Sequence, residues 1–199
     1  MVRIRRRKQM IPTEIERKFI IKYLPKEIES IKKIEQKHIF KDTVCSIRVR
    51  KTQDFFKNEI VYTHTIKARG ENTQKYSIYE LEKNITEEEY NNLNPFDGSR
   101  IIEKYRLIIP IEGNLKAEVD VFDGWLKGLI IAEVEFESVE QAENFQMPDW
   151  FEKSVPHKEF SNRKISTKSR EEILKMVGEA QLNINNRIFS EIQESFGNK

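Results

Sequence analysis

The chain has 199 residues, a length typical of one domain, and its hydrophobic fraction of 38% is too high for global disorder. Its 35 Lys and Arg residues nearly balance its 33 Asp and Glu residues, and the net charge of +2 argues against nucleic-acid binding by overall charge alone. The sequence contains no signal segment and no apolar run of membrane-spanning length, so it predicts a cytoplasmic protein that does not enter a membrane.

The chain begins with a basic stretch, residues 1–12, that we interpret as a solvated tail before a single domain of residues 13–199. The domain opens with a period-two pattern, in which Glu14, Glu16 and Lys18 fall on one face of a predicted strand. No linker-like segment interrupts the remaining chain, so the sequence predicts no further domain boundary.

Apolar spacing predicts the elements that follow. Spacings of three and four indicate helices, strict alternation indicates strands, and a Ser followed three residues later by Glu or Gln marks a helix start. In chain order, these patterns predict a helix over 24–34, strands over 46–50, 60–67 and 79–82, a helix from 86, strands over 103–107, 117–121 and 131–136, a helix over 138–145 and an amphipathic helix over about 167–196. The last apolar stripe either covers the sheet or meets a partner subunit, so a homodimer stays open.

Charged or polar residues recur on one face of each predicted strand. The later pairs and triples are Arg48 with Arg50, Thr63 with Thr65 and Lys67, Glu80 with Glu82, Lys104 with Arg106, Glu118 with Asp120, and Glu133 with Glu135. A one-sided sheet would turn such charges toward water. A closed barrel would instead turn them into its lumen and leave the apolar residues outside. Periodicity alone leaves both interpretations open.

A lumen with charges of both signs would need a ligand of matching chemistry. Carboxylates alone favour hard cations that bind oxygen, whereas arginines and lysines alone favour phosphate. Both together favour a polyphosphate with Mg²⁺ or Mn²⁺, because the metal neutralises the carboxylates and the basic residues neutralise the phosphate oxygens. Unpaired charges would be costly if they were buried, so such a lumen must be wet and filled with ions.

The segment Glu14-Ile15-Glu16-Arg17-Lys18 resembles the E-x-E-x-K signature of the CYTH superfamily, the triphosphate tunnel metalloenzymes. Further segments similar to that family follow in order: 48–50, 65–67, 80–82, 104–106, 118–124, 128–136 and 160–162. The resemblance covers about residues 13–166. It implies an α+β, mainly β fold: an eight-stranded closed antiparallel β-barrel that forms a tunnel, with flanking helices and the C-terminal amphipathic helix.

The resemblance also implies roles for the charged residues. The carboxylates on the metal side would be Glu14, Glu16, Asp120, Glu133 and Glu135. The phosphate contacts would come from Lys18, Arg48, Arg50, Lys67, Lys104 and Arg106. The remaining acidic lining, near a second metal or the attacking water, would be Glu80, Glu82 and Glu118. Departures from the family pattern at Ile78, Lys37-His38 and Ser154–Glu159 bear on substrate preference.

The expected activity is metal-dependent hydrolysis of a small triphosphate, inorganic tripolyphosphate giving pyrophosphate and phosphate, with Mg²⁺ or Mn²⁺ as cofactor. Two alternatives share the implied fold: a class IV-type adenylyl cyclase and a thiamine triphosphatase. A non-catalytic polyphosphate-binding module is the alternative from a different class. No base or thiazole pocket is legible in the sequence, and no feature indicates a specific nucleic-acid partner.

Overall fold

The computed structural model describes residues 15–68 and 79–196. The strands are β1 Ile15–Ile21, β2 Ser30–Lys41, β3 Cys45–Asp54, β4 Glu59–Ala68, β5 Tyr79–Ile85, β6 Ile102–Ile111, β7 Leu115–Phe122, β8 Ile130–Phe136 and β9 Phe151–Val155. The helices are α1 Glu87–Asn92, α2 Val139–Asn144, α3 Asn162–Ile165, α4 Arg170–Val177 and α5 Glu179–Phe196, and a 3₁₀ turn covers Gly124–Leu126.

All nine strands of the described residues belong to one antiparallel sheet, in the order β5-β4-β3-β2-β6-β7-β8-β1-β9. Because no pairing joins β5 to β9 among these residues, the sheet is open, and the predicted closed eight-stranded barrel is wrong. Both edge strands are short, with 7 residues in β5 and 5 in β9, and most of their side chains are exposed. Joining the two edges would therefore bury little apolar surface to offset the cost of closure.

The main hydrophobic core lies on the outer face of the sheet. Side chains of β1, β6, β7 and β8, such as Phe19, Leu107 and Val119, pack there with Phe189 and Ile192 of α5. A second apolar cluster occupies the inner face at one end of the strands, where Ile20, Phe122 and Ile131 contact residues of the 3₁₀ turn, α3 and α4. The remainder of the inner face is free of this cluster and carries the charged residues.

Two helix predictions need correction. The predicted helix over 24–34 is wrong, because residues 22–29 are irregular and β2 begins at Ser30. Strand β2 pairs with both β3 and β6, and this tertiary pairing overrides a weak local helical pattern. The predicted single C-terminal helix is two helices, α4 and α5, since Gly178 between them has a φ of +82°, which a helix interior does not allow.

The other predicted elements are confirmed. Six of the seven predicted strand segments lie within β3 to β8, and the first overlaps β1, with its first residue, Glu14, outside the described residues. Thr86 and Glu89 form a capping box at the start of α1, Ser138 caps α2, and Ser169 forms a capping box with Glu172 at α4. Among the described residues, no helix combines the length and apolarity that crossing a membrane would require.

Candidate functional site

The sheet curls around a cavity of about 570 Å³ on its inner face. The predicted site residues that line it are Glu16, Lys18, Arg48, Arg50, Lys67, Glu80, Glu82, Arg106, Glu118, Glu133 and Glu135. Lys104 and Asp120 are fully buried within the sheet beside them. Glu14 and Ile78 lie outside the described residues, as does the basic stretch of residues 1–12. The cavity therefore brings together most of the site residues that were predicted from the sequence.

Antiparallel register explains this convergence. Side chains alternate between the two faces of a strand, so positions two apart share the cavity face. Lys18 of β1 faces Glu133 of β8, which also faces Glu118 of β7, while Arg106 of β6 faces Asp120 of β7. Charges of opposite sign thus meet across neighbouring strands in one continuous group.

Strands β1, β6, β7 and β8 form a wall with a dense ion-pair network, which we call the networked wall. Arg106 is its centre: Nε and Nη2 donate to the two carboxylate oxygens of Asp120 at 2.6 and 2.7 Å, and Nη2 also lies 3.3 Å from Glu133. Arg106 further bonds Glu118, Lys104 bonds Asp120, and Lys18 bonds Glu133. Each buried charge on this wall therefore has an opposite charge in contact.

The network controls the protonation of its members. Burial alone would raise the pKa of Asp120, but Arg106 and Lys104 lower it below its usual range. In the same way, Lys18, Arg106 and Lys104 overcome burial and hold the pKa of Glu133 well below its usual range. Burial and the adjacent Arg106 lower the pKa of Lys104 to about 7. Asp120 and Glu133 consequently stay ionised at neutral pH.

Strands β3, β4 and β5 form the opposite wall, which we call the open wall because one of its cations, Arg50, has no acidic partner among the described residues. Arg48 and Lys67 share one carboxylate, Glu80, at 3.0 and 2.9 Å. Arg50 is different: its Nε donates to the neutral Gln36 at 2.9 Å, and no described carboxylate lies within ion-pair distance of it. Burial, with Arg48 and Arg106 nearby, lowers the pKa of Arg50 to about 9. An anion in the cavity would relieve this cationic excess.

Acidic residues concentrate at the other side of the cavity. Glu16 and Glu135 are direct partners on β1 and β8, and Glu118 lies on the adjoining strand β7. Burial and the charges of Glu118 and Glu16 raise the pKa of Glu135, as expected where several carboxylates lie close together. Within the described ranges, no three His, Cys, Asp or Glu side chains are already close enough to hold a metal ion. Their oxygen chemistry nevertheless fits a hard divalent cation.

Several cavity residues were not assigned from the sequence. His157 places Nδ1 3.0 Å from Oε1 of Glu16, and Lys158, Arg163 and Lys164 line the same opening. Gln36 and His38 follow the predicted helix over 24–34, and because no strand was predicted there, their position on the cavity face of β2 was missed. Their spacing of two was the available signal, since Gln36 and His38 point to the same side of a strand.

The fold and the cavity together define a class: a curled antiparallel sheet whose interior suits a polyanion and a hard cation. No family model matches the sequence. The inorganic triphosphatase of Nitrosomonas europaea is 31% identical over 156 residues, which cover 77% of this chain and 97% of that protein.

Two solved crystal structures are also similar to this chain. The structure of the inorganic triphosphatase NE1496 has a TM-score of 0.56 and 28% identity, and the match covers 79% of this chain and 96% of that one. A second structure, described as the hypothetical protein NE1496, has a TM-score of 0.57 and 29% identity over 79% of this chain and 99% of that one. The chain belongs to the CYTH superfamily of triphosphate tunnel metalloenzymes.

Proposed function

We propose that the protein is a metal-dependent triphosphatase that hydrolyses inorganic tripolyphosphate to pyrophosphate and phosphate. The observation that carries this proposal is Arg50, a half-buried cation without an acidic partner among the described residues, in a cavity whose far side gathers carboxylates. The relative from Nitrosomonas europaea, named an inorganic triphosphatase, supports the same reaction. A triphosphate would pair its oxygens with the cations of the open wall.

The basic residues bind and orient the substrate in this proposal. Arg48, Arg50 and Lys67 contact phosphate oxygens from the open wall, and Lys18 and Arg106 contact them from the networked wall. Lys104, which is fully buried against Asp120, supports the network from behind the lining. Fixed cations of this kind also stabilise charge that develops on the oxygens in the transition state without reorganising at that moment.

The acidic residues would hold the metal and the attacking water. We propose Glu16, Glu118 and Glu135 as ligands to Mg²⁺ or Mn²⁺, together with Glu14 from the segment before β1. A divalent cation held by these carboxylates would supply neutralisation of the phosphate charge, which favours attack by water. Asp120 and Glu133, which the sequence also assigned to the metal side, pair with Arg106, Lys104 and Lys18, and we propose that they hold these cations in place beside the metal site. Glu80 and Glu82 orient the water, and Thr65 holds Glu82 by donating a hydrogen bond of 2.8 Å.

Turnover assays test this function directly. Purified protein is incubated with Mg²⁺ or Mn²⁺ and with tripolyphosphate, ATP or thiamine triphosphate, and the products are separated by chromatography. We expect fastest turnover of tripolyphosphate, with phosphate and pyrophosphate released. Cyclic AMP as the main product from ATP would indicate the cyclase, and preferred cleavage of thiamine triphosphate would indicate that hydrolase. Binding without turnover of any substrate would indicate the non-catalytic module.

A matched pair of variants on β3 separates the cavity from the rest of the sheet. Arg50→Leu should reduce kcat/KM for tripolyphosphate by roughly 10–100-fold, because charge-assisted hydrogen bonds to phosphate are lost. Lys51→Leu is the control, since Lys51 lies on the outer face, with Nζ 5.9 Å from the ring centre of Tyr62. Equal activity of the two variants would contradict the proposed cavity site.

Three further predictions from the sequence stay predictions, in addition to the proposed function. They are the single domain over residues 13–199, the cytoplasmic location, and the homodimer as an open alternative. Size-exclusion chromatography with light scattering would decide the oligomeric state.

A further inference from the structure

Arg50 is held by neutral partners instead of by an acid. Gln36 and His38 alternate along the cavity face of β2, where they face Arg50 and Arg48 in register. Nε of Arg50 donates to Oε1 of Gln36 at 2.9 Å, and Nε2 of Gln36 lies 2.9 Å from Nε2 of His38. Gln36 and His38 are almost completely buried, so water does not compete for these contacts.

The hydrogen-bond chemistry fixes every proton in this chain. A guanidinium only donates, so the Gln36 atom that faces Arg50 must be its carbonyl oxygen. The amide NH₂ of Gln36 therefore faces His38, and because this group also only donates, Nε2 of His38 must accept. The ring proton of His38 then resides on Nδ1, which is buried without a hydrogen-bond partner among the described residues, and the imidazole is neutral. Burial and the nearby Arg48 and Arg50 lower the pKa of His38 to about 3, in agreement with a neutral imidazole.

We propose that Gln36 and His38 are positioning residues that orient Arg50 toward the triphosphate while leaving its positive charge available. This inference rests on the proposed function. A carboxylate at position 36 would bind the guanidinium of Arg50 at least as tightly, but its negative charge would also neutralise the positive charge of Arg50. The neutral amide avoids this, and the imidazole in turn fixes the amide orientation. Arg48 and Lys67 illustrate the alternative arrangement, since both are paired with Glu80.

The first test replaces Gln36 by an isosteric acid. Gln36→Glu keeps an oxygen for Arg50 but adds a negative charge, so we expect the Kd of tripolyphosphate to rise at least tenfold. Binding is measured by calorimetry without divalent metal, where turnover does not interfere. Gln53→Glu is the matched control, because Gln53 makes the same charge change on the outer face of β3, and its Kd should stay within twofold of the wild type.

The second test separates positioning from folding. His38→Leu removes the acceptor for the Gln36 amide and should raise KM about fivefold with little change in kcat, as expected for the loss of about one hydrogen bond. His38→Gln restores an acceptor and should recover most of this loss. In an Arg50→Leu background, His38→Leu should raise KM no further, since residues that act through one group are not additive.

The outcomes decide between positioning and mere packing. The inference is overturned if Gln36→Glu and Gln53→Glu bind tripolyphosphate equally, or if His38→Leu adds its full effect in the Arg50→Leu background. If Gln36→Glu does not fold, as judged by thermal unfolding, the His38 pair decides alone. A wild type that binds but never hydrolyses tripolyphosphate would refute the proposed function, while the calorimetric series would still judge the role of Gln36.

Discussion

The two walls of the cavity differ in how their positively charged side chains are paired. On the networked wall, Asp120 pairs with both Arg106 and Lys104, and Arg106 also contacts Glu118 and Glu133. On the open wall, the partner of Arg50 among the described residues is the neutral Gln36. Both walls belong to the same sheet and carry similar residue types, so composition does not distinguish them. The difference lies in which partners the strand register brings into contact.

This contrast separates scaffold from binding surface. A buried charge that loses its counter-charge is very unfavourable, so the networked wall depends on its pairs for stability. A charge with no acidic partner contributes little to stability, and it is available to a ligand. Variants that remove one partner of a buried pair on the networked wall should therefore destabilise the protein, whereas variants around Arg50 should mainly weaken binding.

The largest expected effect comes from breaking the networked wall at its most buried carboxylate. Asp120→Asn keeps the side-chain shape but leaves Lys104 and Arg106 without their main counter-charge. We expect a loss of about 3–5 kcal/mol in the free energy of unfolding, the range observed when one partner of a buried ion pair is removed. Equilibrium unfolding in urea measures this loss.

Two comparisons control that measurement. Asp97→Asn makes the same chemical change in an exposed turn and should alter the free energy of unfolding by less than about 0.5 kcal/mol. Arg50→Leu should cost far less stability than Asp120→Asn, because no acid loses its partner. An Asp120→Asn protein as stable as the wild type would remove the distinction between the walls.

A smaller effect is expected for the open wall at acid pH. His38 is neutral in the folded protein, and burial with Arg48 and Arg50 nearby lowers its pKa to about 3 from the ordinary 6.5. Between these values the unfolded chain binds a proton that the folded protein does not. His38 therefore supports stability above pH 6.5, and this support declines as the pH falls. From pH 7 to 5 the loss should be about 2 kcal/mol.

Urea unfolding at pH 7 and pH 5 checks this expectation. The loss on acidification should be smaller by that amount in His38→Gln, which has no proton to bind. His64→Gln is the matched control, since His64 lies on the outer face of β4, away from Arg48 and Arg50. If the wild type and His38→Gln lose the same amount of stability between pH 7 and pH 5, the assignment of a neutral His38 imidazole beside Arg50 is wrong.

The sequence identified the strands of both walls but not the way in which the sheet ends. Alternation placed residues such as Lys18, Arg50 and Glu133 on one face, because the period of a strand is a local property. Closure is not local: it depends on whether β5 and β9 bury enough surface to pair, and the resemblance wrongly implied that the barrel closes.

The partners of individual charges were also not predictable from the sequence. That Arg106 meets Asp120 and Arg50 meets Gln36 follows from register, which a single strand does not encode. The Gln36 contact was further concealed by the apolar spacing of residues 24–34, which favoured a helix. The same limit applies to Lys164 and His157, which reach the cavity from the segment after β9.

The smallest effect concerns the acidic side of the cavity, where Glu135 adjoins Glu16 and Glu118. Burial and these two acids raise the pKa of Glu135, so its ionised form is disfavoured in the metal-free protein, and its contribution to stability falls as the pH rises. In EDTA at neutral pH, Glu135→Gln should therefore unfold at the same temperature as the wild type or slightly above it. With Mn²⁺ the order should reverse, because a bound ion stabilises the wild type by mass action and the variant has lost a ligand.

Glu137→Gln is the matched control. Glu137 is an exposed acid just beyond the end of β8, so this variant should keep the full Mn²⁺ response. A Glu135→Gln protein that is less stable in EDTA yet responds fully to Mn²⁺ would contradict this prediction. Glu135 would then support the fold, as Asp120 and Glu133 do, and would not be a metal ligand.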